Sequence, residues 1–192
     1  MKKIVLAYSG GLDTSYCLKK LSQEKNEVHA VCINTGGFTT TQIKSIKEKA
    51  IELGAFKFEL IDAVEFYYNN IIKYLIYGNV LRNNTYPLSV SAERTVQAIE
   101  IINYAKKNNA THIAHGSTGA GNDQVRFDML FQIIAPEIEI ITPIRDNSLT
   151  REDETKFLQD NGVNIEWEKA KYSINKGLWG TSVGGDETLT SN

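Results

Sequence analysis

A chain of 192 residues and 21.5 kDa, 42% hydrophobic and 23% charged, can bury an ample core and needs no disulfide or metal staple. Lys plus Arg 21 against Asp plus Glu 23 leaves a net charge of −2 and a pI of about 6.0, which argues against a nucleic-acid partner. The two cysteines, Cys17 and Cys32, make no CxxC pattern, no apolar run reaches the ~18–20 residues of a membrane span, and Met1–Tyr8 is too short for a signal peptide, so a cytoplasmic protein without membrane partners is expected.

Ile4–Tyr8 is apolar on consecutive positions and predicts a strand buried on both faces. A helix follows over Thr14–Gln23, then a strand over Val28–Asn34. The next helix spans Thr41–Leu53, with Ile43, Ile46, Ala50 and Leu53 spaced for one face, and Gly54 stops it. Lys57–Ile61 predicts a third strand, Val64–Leu81 a helix rich in Tyr and Ile, and Ser91–Asn108 a helix with a Val96, Ile99, Ile102, Ala105 stripe. Thr111–His115 and Ile138–Thr142 predict strands four and five, and Thr150–Asp160 a polar helix. Beyond about Glu166 no clear period remains. Alternation of this kind predicts an α/β fold: a parallel twisted sheet with helices on both faces and the loops after the strands on one edge.

Two segments carry chemistry. The first, Ala7-Tyr8-Ser9-Gly10-Gly11-Leu12-Asp13-Thr14-Ser15, joins the first strand to the first helix. Its paired glycines let backbone amides approach an anion, Ser9, Thr14 and Ser15 add hydroxyls, and a helix N-terminus favours phosphate. Asp13 beside a polyphosphate calls for a cation between them, a role for Mg²⁺ held by oxygen ligands. The same residues would also make a tight turn in which Asp13 or Thr14 caps the helix. The spacing fits neither GxxxxGK[ST] nor GxGxxG. The second segment, His115-Gly116-Ser117-Thr118-Gly119-Ala120-Gly121-Asn122-Asp123-Gln124-Val125-Arg126-Phe127-Asp128, is a strand end followed by three glycines and dense polar groups. Asn122 and Thr118 suit the polar ends of an amino acid, Asp123 an ammonium and Arg126 a carboxylate.

Ser9–Ser15 (SGGLDTS) resembles the pyrophosphate loop of the N-type ATP pyrophosphatases, which cleave ATP between the α- and β-phosphates to adenylate a substrate. Amidating synthetases, NAD and GMP synthetases, tRNA-thiolating enzymes and argininosuccinate synthase share that loop. The strand end followed by GxxGxGNDQxR is similar to the argininosuccinate synthase family in particular. So is Tyr86–Arg94 (YPLSVSAER), and Tyr172-Ser173-Ile174 and Thr181-Ser182 match later serines of that family. Val90, Glu93 and Ala120 depart from the family's usual Thr, Ala and Lys, and Gly36-Gly37-Phe38 from its Gly-Gln; Glu93 puts an acid beside Arg94.

The resemblance implies a Rossmann-like adenine nucleotide alpha-hydrolase fold over residues 1–165 and, over 166–192, the start of a truncated synthetase and multimerisation domain. It implies ATP with Mg²⁺ as co-substrate and L-citrulline and L-aspartate as the small molecules joined, with AMP and pyrophosphate released. ATP would be met by Ala7, Tyr8, Ser9, Gly10, Gly11, Leu12, Asp13, Thr14, Ser15, Ile33 and Gly116, with Asp13 meeting Mg²⁺ indirectly through the nucleotide. Thr118, Asn122 and Asp123 would hold aspartate; Tyr86, Ser91, Asn122, Arg126, Ser173 and Ser182 would hold citrulline. Asp13, Ser9 and Asp123 are the expected catalytic set. The full-length family enzyme is a homotetramer, and its later residues add a Glu and a Tyr to the citrulline pocket. The alternatives are a truncated or non-catalytic ATP-binding module of the same family, or a tRNA-thiolating relative. His29, His112 and His115 lack metal-ligand spacing, Cys17 and Cys32 read as buried small hydrophobes, the Phe66–Tyr77 face as core or subunit contact, and Lys44–Lys49 as a solvated helix face.

Overall fold

The computed structural model describes residues 1–119, 122–163 and 172–185. Five strands, β1 (Lys3–Ala7), β2 (Glu27–Asn34), β3 (Lys57–Asp62), β4 (His112–Ala114) and β5 (Glu139–Ile141), form one sheet in the order β3-β2-β1-β4-β5. All four pairings are parallel. Helices α1 (Leu12–Gln23), α2 (Thr40–Glu52), α5 (Ser89–Lys107), α6 (Asp123–Ile134) and α8 (Arg151–Asp160) supply the covering layers. The short α3 (Val64–Tyr67), α4 (Lys73–Tyr77) and α7 (Pro143–Asp146) lie in the connections.

The alternation along β1 shows how the sheet is sandwiched. Val5 belongs to one core with Val96, Ile101, Ile102 and Phe131, whereas Ile4 and Leu6 belong to another with Leu18, Leu21 and Leu158. All three β1 residues are fully buried, as a consecutive apolar run predicts for a strand covered on both faces. β3 is an edge strand and only half buried. Reciprocal capping boxes start α2 at Thr39 with Gln42 and α8 at Thr150 with Asp153, so both helices begin where a Thr can satisfy an orphan backbone amide.

Three expectations are corrected. The predicted single helix over Val64–Leu81 is two α-helical turns separated by a π-helical stretch, Tyr68–Ile72, and it ends at Tyr77. Only Tyr67 and Ile72 of this region are buried, so two anchors hold it where a continuous stripe was expected. The polar segment from His115 onward, for which no helix is predicted, runs into one: α6 begins at Asp123, and Phe127 and Phe131 bury its inner face. The region after Glu166 has an antiparallel hairpin, β6 (Tyr172–Gly177) and β7 (Gly180–Gly185). It is docked by Leu178 N–H on Thr35 O (2.8 Å) and Trp179 Nε1–H on Pro87 O (2.7 Å). Gly37 has to be glycine for this contact, because a Cβ there would lie 1.9 Å from Lys176 O.

Candidate nucleotide and amino-acid site

The strand order reverses at β1, which lies between β2 and β4. Loops leaving the carboxyl ends of β1 and β4 therefore diverge and open a crevice, the ligand position of such sheets. Both chemistry-bearing segments leave the sheet at this point.

The first loop extends β1 by one bond, Tyr8 N–H to Val31 O at 2.9 Å, and then turns at Gly10, whose φ of +76° favours glycine. Gly11 precedes α1 without any side-chain cap, so the helix's first amides keep their polarity for an anion. The loop closes on long bonds: Ser9 N–H to Thr14 Oγ1 and Gly11 N–H to Ser9 Oγ, both 3.4 Å, with the two hydroxyls 3.2 Å apart. A phosphate can replace such long bonds with little loss. Ser15 is fully buried: its N–H donates to Gly11 O, and its buried hydroxyl has no hydrogen-bond partner among the described residues. Tyr8 and Leu12 are buried as well, and burial pushes the Tyr8 phenol up to about 12. Ala7 is half buried, and Ile33 is buried near the end of β2 opposite Ile61.

Asp13 faces α8. Burial raises its pKa and Arg151 opposes that shift; the nearby Glu154 carboxyl, in a residue 1% exposed, is itself raised by burial and by the charge of Asp13. Among the described residues no group of three or more His, Cys, Asp or Glu is placed to hold a metal. The oxygens of Asp13, Ser9 and Thr14 suit Mg²⁺ only as part of a shell shared with phosphate oxygens, so the residues fit a magnesium nucleotide and no resident metal centre.

One cation was missed in the sequence. Lys49 was grouped with a solvated face, but its Nζ reaches back from α2 to donate to Gly10 O at 3.0 Å, and burial lowers its pKa. A lysine three turns into an amphipathic helix carries no sequence signal for this contact.

The second loop touches the first. Gly116 lies so close to α1 that a Cβ there would sit 3.2 Å from Asp13 C and Cβ and 3.3 Å from Thr14 N. Thr118 is exposed, and Asn122, exposed, precedes α6. Asp123 is clamped from two sides: Arg126 Nη1 donates to Oδ1 at 2.6 Å and Arg94 Nε to Oδ2 at 2.9 Å. Arg94 also donates to Asn175 Oδ1 on β6 (2.6 Å) and pairs with Glu93 at 3.5 Å. Glu93, 7% exposed, accepts from Thr35 Oγ1 at 2.6 Å and Gln97 Nε2 at 3.3 Å. The acid at position 93 thus both pairs with Arg94 and fastens α5 to the end of β2. Asp123 and Arg126, expected to face substrate charges, face each other here.

Of the remaining site candidates, the Tyr86 hydroxyl accepts from Val90 N–H (3.0 Å) just before α5, and Ser91 is half buried in its first turn. Ser182 stands across the hairpin from Asn175, the residue that accepts from Arg94. Ser173 pairs its backbone with Gly184, while its side chain lies outside the described residues, as do Ala120 and Gly121. Cys17 and Cys32 are buried thiols; burial raises both, Cys32 to about 12. This matches their reading as small hydrophobes.

A parallel sheet with a glycine-rich anion loop at its switch point defines a Rossmann-like nucleotide-binding domain. The family profile "Arginosuccinate synthase N-terminal HUP domain" matches residues 3–164. The chain belongs to the argininosuccinate synthase family. It is 44% identical over 185 residues to an argininosuccinate synthase of Saccharolobus solfataricus, covering 96% of this chain and 47% of that protein. It is 43% identical over 184 residues to the one of Methanocaldococcus jannaschii, covering 95% and 46%. The chain therefore spans about half the length of the curated relatives it matches. Among solved structures, an NH3-dependent NAD synthetase of Campylobacter jejuni, in complex with a nitrate ion, superposes with a TM-score of 0.59 at 12% identity. That match covers 90% of this chain and 69% of the other, and it speaks for the fold alone.

Proposed function

We propose that this chain is the ATP-binding portion of an argininosuccinate-forming ligase, and that the reaction it serves joins citrulline to aspartate with ATP converted to AMP and pyrophosphate. The observation that carries the reading is the meeting of the two loops at the switch point, with Gly116 against the first turn of α1. An anion loop and a loop dense in amino-acid-binding groups then share one crevice. Family membership sets aside the tRNA-thiolating alternative, and coverage of about half of each relative favours a module that binds ATP without turning over alone.

In this mechanism Ser9, Gly10, Gly11 and Thr14 hold the β- and γ-phosphates, with α1's N-terminus and Lys49 countering their charge. Asp13, with the hydroxyls of Ser9 and Thr14, would face the Mg²⁺ brought in by ATP, which would supply neutralisation of phosphate charge. A ureido oxygen is a poor leaving group, so it first attacks the α-phosphorus and expels pyrophosphate. The aspartate amine then attacks the activated carbon and expels AMP. Thr118, Asn122 and Asp123 hold the aspartate; Tyr86, Ser91, Asn122, Arg126, Ser173 and Ser182 hold the citrulline. Positioning and charge neutralisation do the catalysis, with Asp13, Ser9 and Asp123 as the central groups. The boundary near residue 165 separates this module from the start of the synthetase portion, and the whole enzyme is a cytoplasmic homotetramer. No described helix is long and apolar enough to cross a membrane.

Calorimetric titration of MgATP into this chain, followed by citrulline and aspartate, tests the reading. Saturable ATP binding without pyrophosphate release is expected; failure to bind ATP overturns the proposal.

A further inference from the structure

His115 directly follows β4 and is 1% exposed, its ring stacked on Phe127 with centroids 5.5 Å apart. Ser117 N–H donates to its Nδ1 at 3.3 Å, which assigns the lone pair to Nδ1 and the proton to Nε2. Nε2–H then donates to Asp128 Oδ1 at 2.8 Å, and Asp128 Oδ2 accepts from Arg145 Nη1 at 2.5 Å. The same Arg145 nitrogen reaches Gln124 Oε1 at 3.4 Å, and Gln124 Nε2 donates to Gly119 O at 2.7 Å. The chain of contacts leaves the loop at Ser117, passes through α6 and α7, and returns to it at Gly119. Thr118, exposed, is bracketed between the two anchor points.

We propose that the His115–Asp128–Arg145–Gln124 relay is the positioning device that presents Thr118 to the amino-acid substrate, and that it holds the loop only while His115 is neutral. The proposal rests on Thr118 belonging to the aspartate site. A proton added at Nδ1 would set two donors, Nδ1–H and Ser117 N–H, against each other, and the loop would lose its inner anchor. The charged groups facing the ring are Asp128 from α6 and Arg145 and Asp146 from α7. Burial lowers the His115 pKa, Asp128 and Asp146 oppose that shift, and Arg145 adds to it. The sign follows: with a depressed folded-state pKa, the ring is neutral and the anchor intact at neutral pH, and the anchor is lost only as pH falls through that depressed value, below the ordinary ~6.5.

The test follows imidazole and Ser117 amide nitrogen shifts in this chain by NMR from about pH 8 to about pH 5. Calorimetry of L-aspartate in saturating MgATP is run over the same range. The expected result is one shared transition for the imidazole and the Ser117 amide, with aspartate affinity falling about tenfold through it and ATP affinity moving less than about twofold. Arg145→Gln should raise the midpoint and Asp128→Asn should lower it. A relay that is only structural would change affinity in both variants without moving the midpoint in opposite directions. A Ser117 amide that ignores the imidazole transition, or variants that leave the midpoint in place, overturns the relay. A shared transition without any aspartate binding overturns the substrate assignment while leaving the loop anchor standing.

Discussion

The loop after β1 keeps its shape with its own backbone and hydroxyls, whereas the loop after β4 is held by side chains borrowed from α5, α6, α7 and β6. In the first, a positive-φ glycine makes the turn, and the internal bonds that close the loop are long, at 3.2–3.4 Å. In the second, charge-assisted bonds of 2.5–2.9 Å tie Asp123 and Asp128 to three arginines. The contrast has a chemical sense. Polyphosphate is recognised largely by backbone amides, which a short peptide can aim unaided. Discriminating one amino acid from another needs charges at fixed positions, and fixing them takes scaffolding from elsewhere in the fold.

The largest expected effect breaks the second loop's scaffolding. Arg94→Ala removes the guanidinium that Asp123, Glu93 and Asn175 share. Stability should fall by about 2–3 kcal/mol, below the ~3–5 of a fully buried pair because the Asp123 side chain is 34% exposed. Urea unfolding measures this, and Arg94→Lys should recover only part of it, since a single ammonium nitrogen cannot replace the three separate guanidinium nitrogens that meet Asp123, Asn175 and Glu93. A loss below about 0.5 kcal/mol would mean that the clamp around Asp123 contributes nothing to the fold.

Next in size is Gly10→Ala, aimed at the backbone of the first loop. A Cβ at φ +76° is strained and would lie 3.0 Å from Ile46 Cγ1, so about 1–2 kcal/mol should be lost, along with ATP affinity. Unfolding and calorimetry on the same sample check both. Unchanged ATP affinity would contradict the view that backbone geometry aims this loop.

These two loops also differ in how far the sequence reveals them. The sheet was legible throughout, because a parallel core leaves consecutive apolar runs such as Ile4–Tyr8 and Val28–Asn34. The first loop was legible for a related reason: its function resides in glycines and hydroxyls adjacent in the chain. What holds the second loop was not. Arg145 lies 17 residues beyond Asp128 and Asn175 lies 81 beyond Arg94, and no periodicity links either pair. The start of α6 was hidden too, since its polar first turn continues a glycine-rich run and its apolar residues follow only at Phe127. The π-helical stretch at Tyr68–Ile72 escaped because the Tyr- and Ile-rich run reads as one long helix, whereas its buried anchors Tyr67 and Ile72 stand five residues apart.

Lys49 is the exception that sharpens the contrast, a charge borrowed from α2 that reaches the backbone of the first loop. Lys49→Met keeps the aliphatic stem packed and removes the cation, so stability should change little. ATP affinity should fall about tenfold, or about 1.4 kcal/mol. An equal loss of affinity for adenosine, measured alongside, would show that Lys49 acts through packing and not through the phosphates.

Ser9→Ala should have the smallest effect on stability. The Ser9 side chain is exposed, and its two contacts, 3.2 Å to Thr14 Oγ1 and 3.4 Å to Gly11 N, are too long to stabilise the fold by more than about 0.5 kcal/mol. A phosphate oxygen offers that hydroxyl a shorter, charge-assisted bond, so ATP affinity should drop by more than stability does, by roughly 1.5–3 kcal/mol. The gap between the two measurements is the informative quantity. A loop that held itself together through Ser9 would lose both equally. A loop whose hydroxyls are set aside for a ligand loses affinity and keeps its fold. The long internal bonds of the first loop are then the weak contacts that ATP replaces, and the tight ion pairs that hold the second loop are the ones that stay.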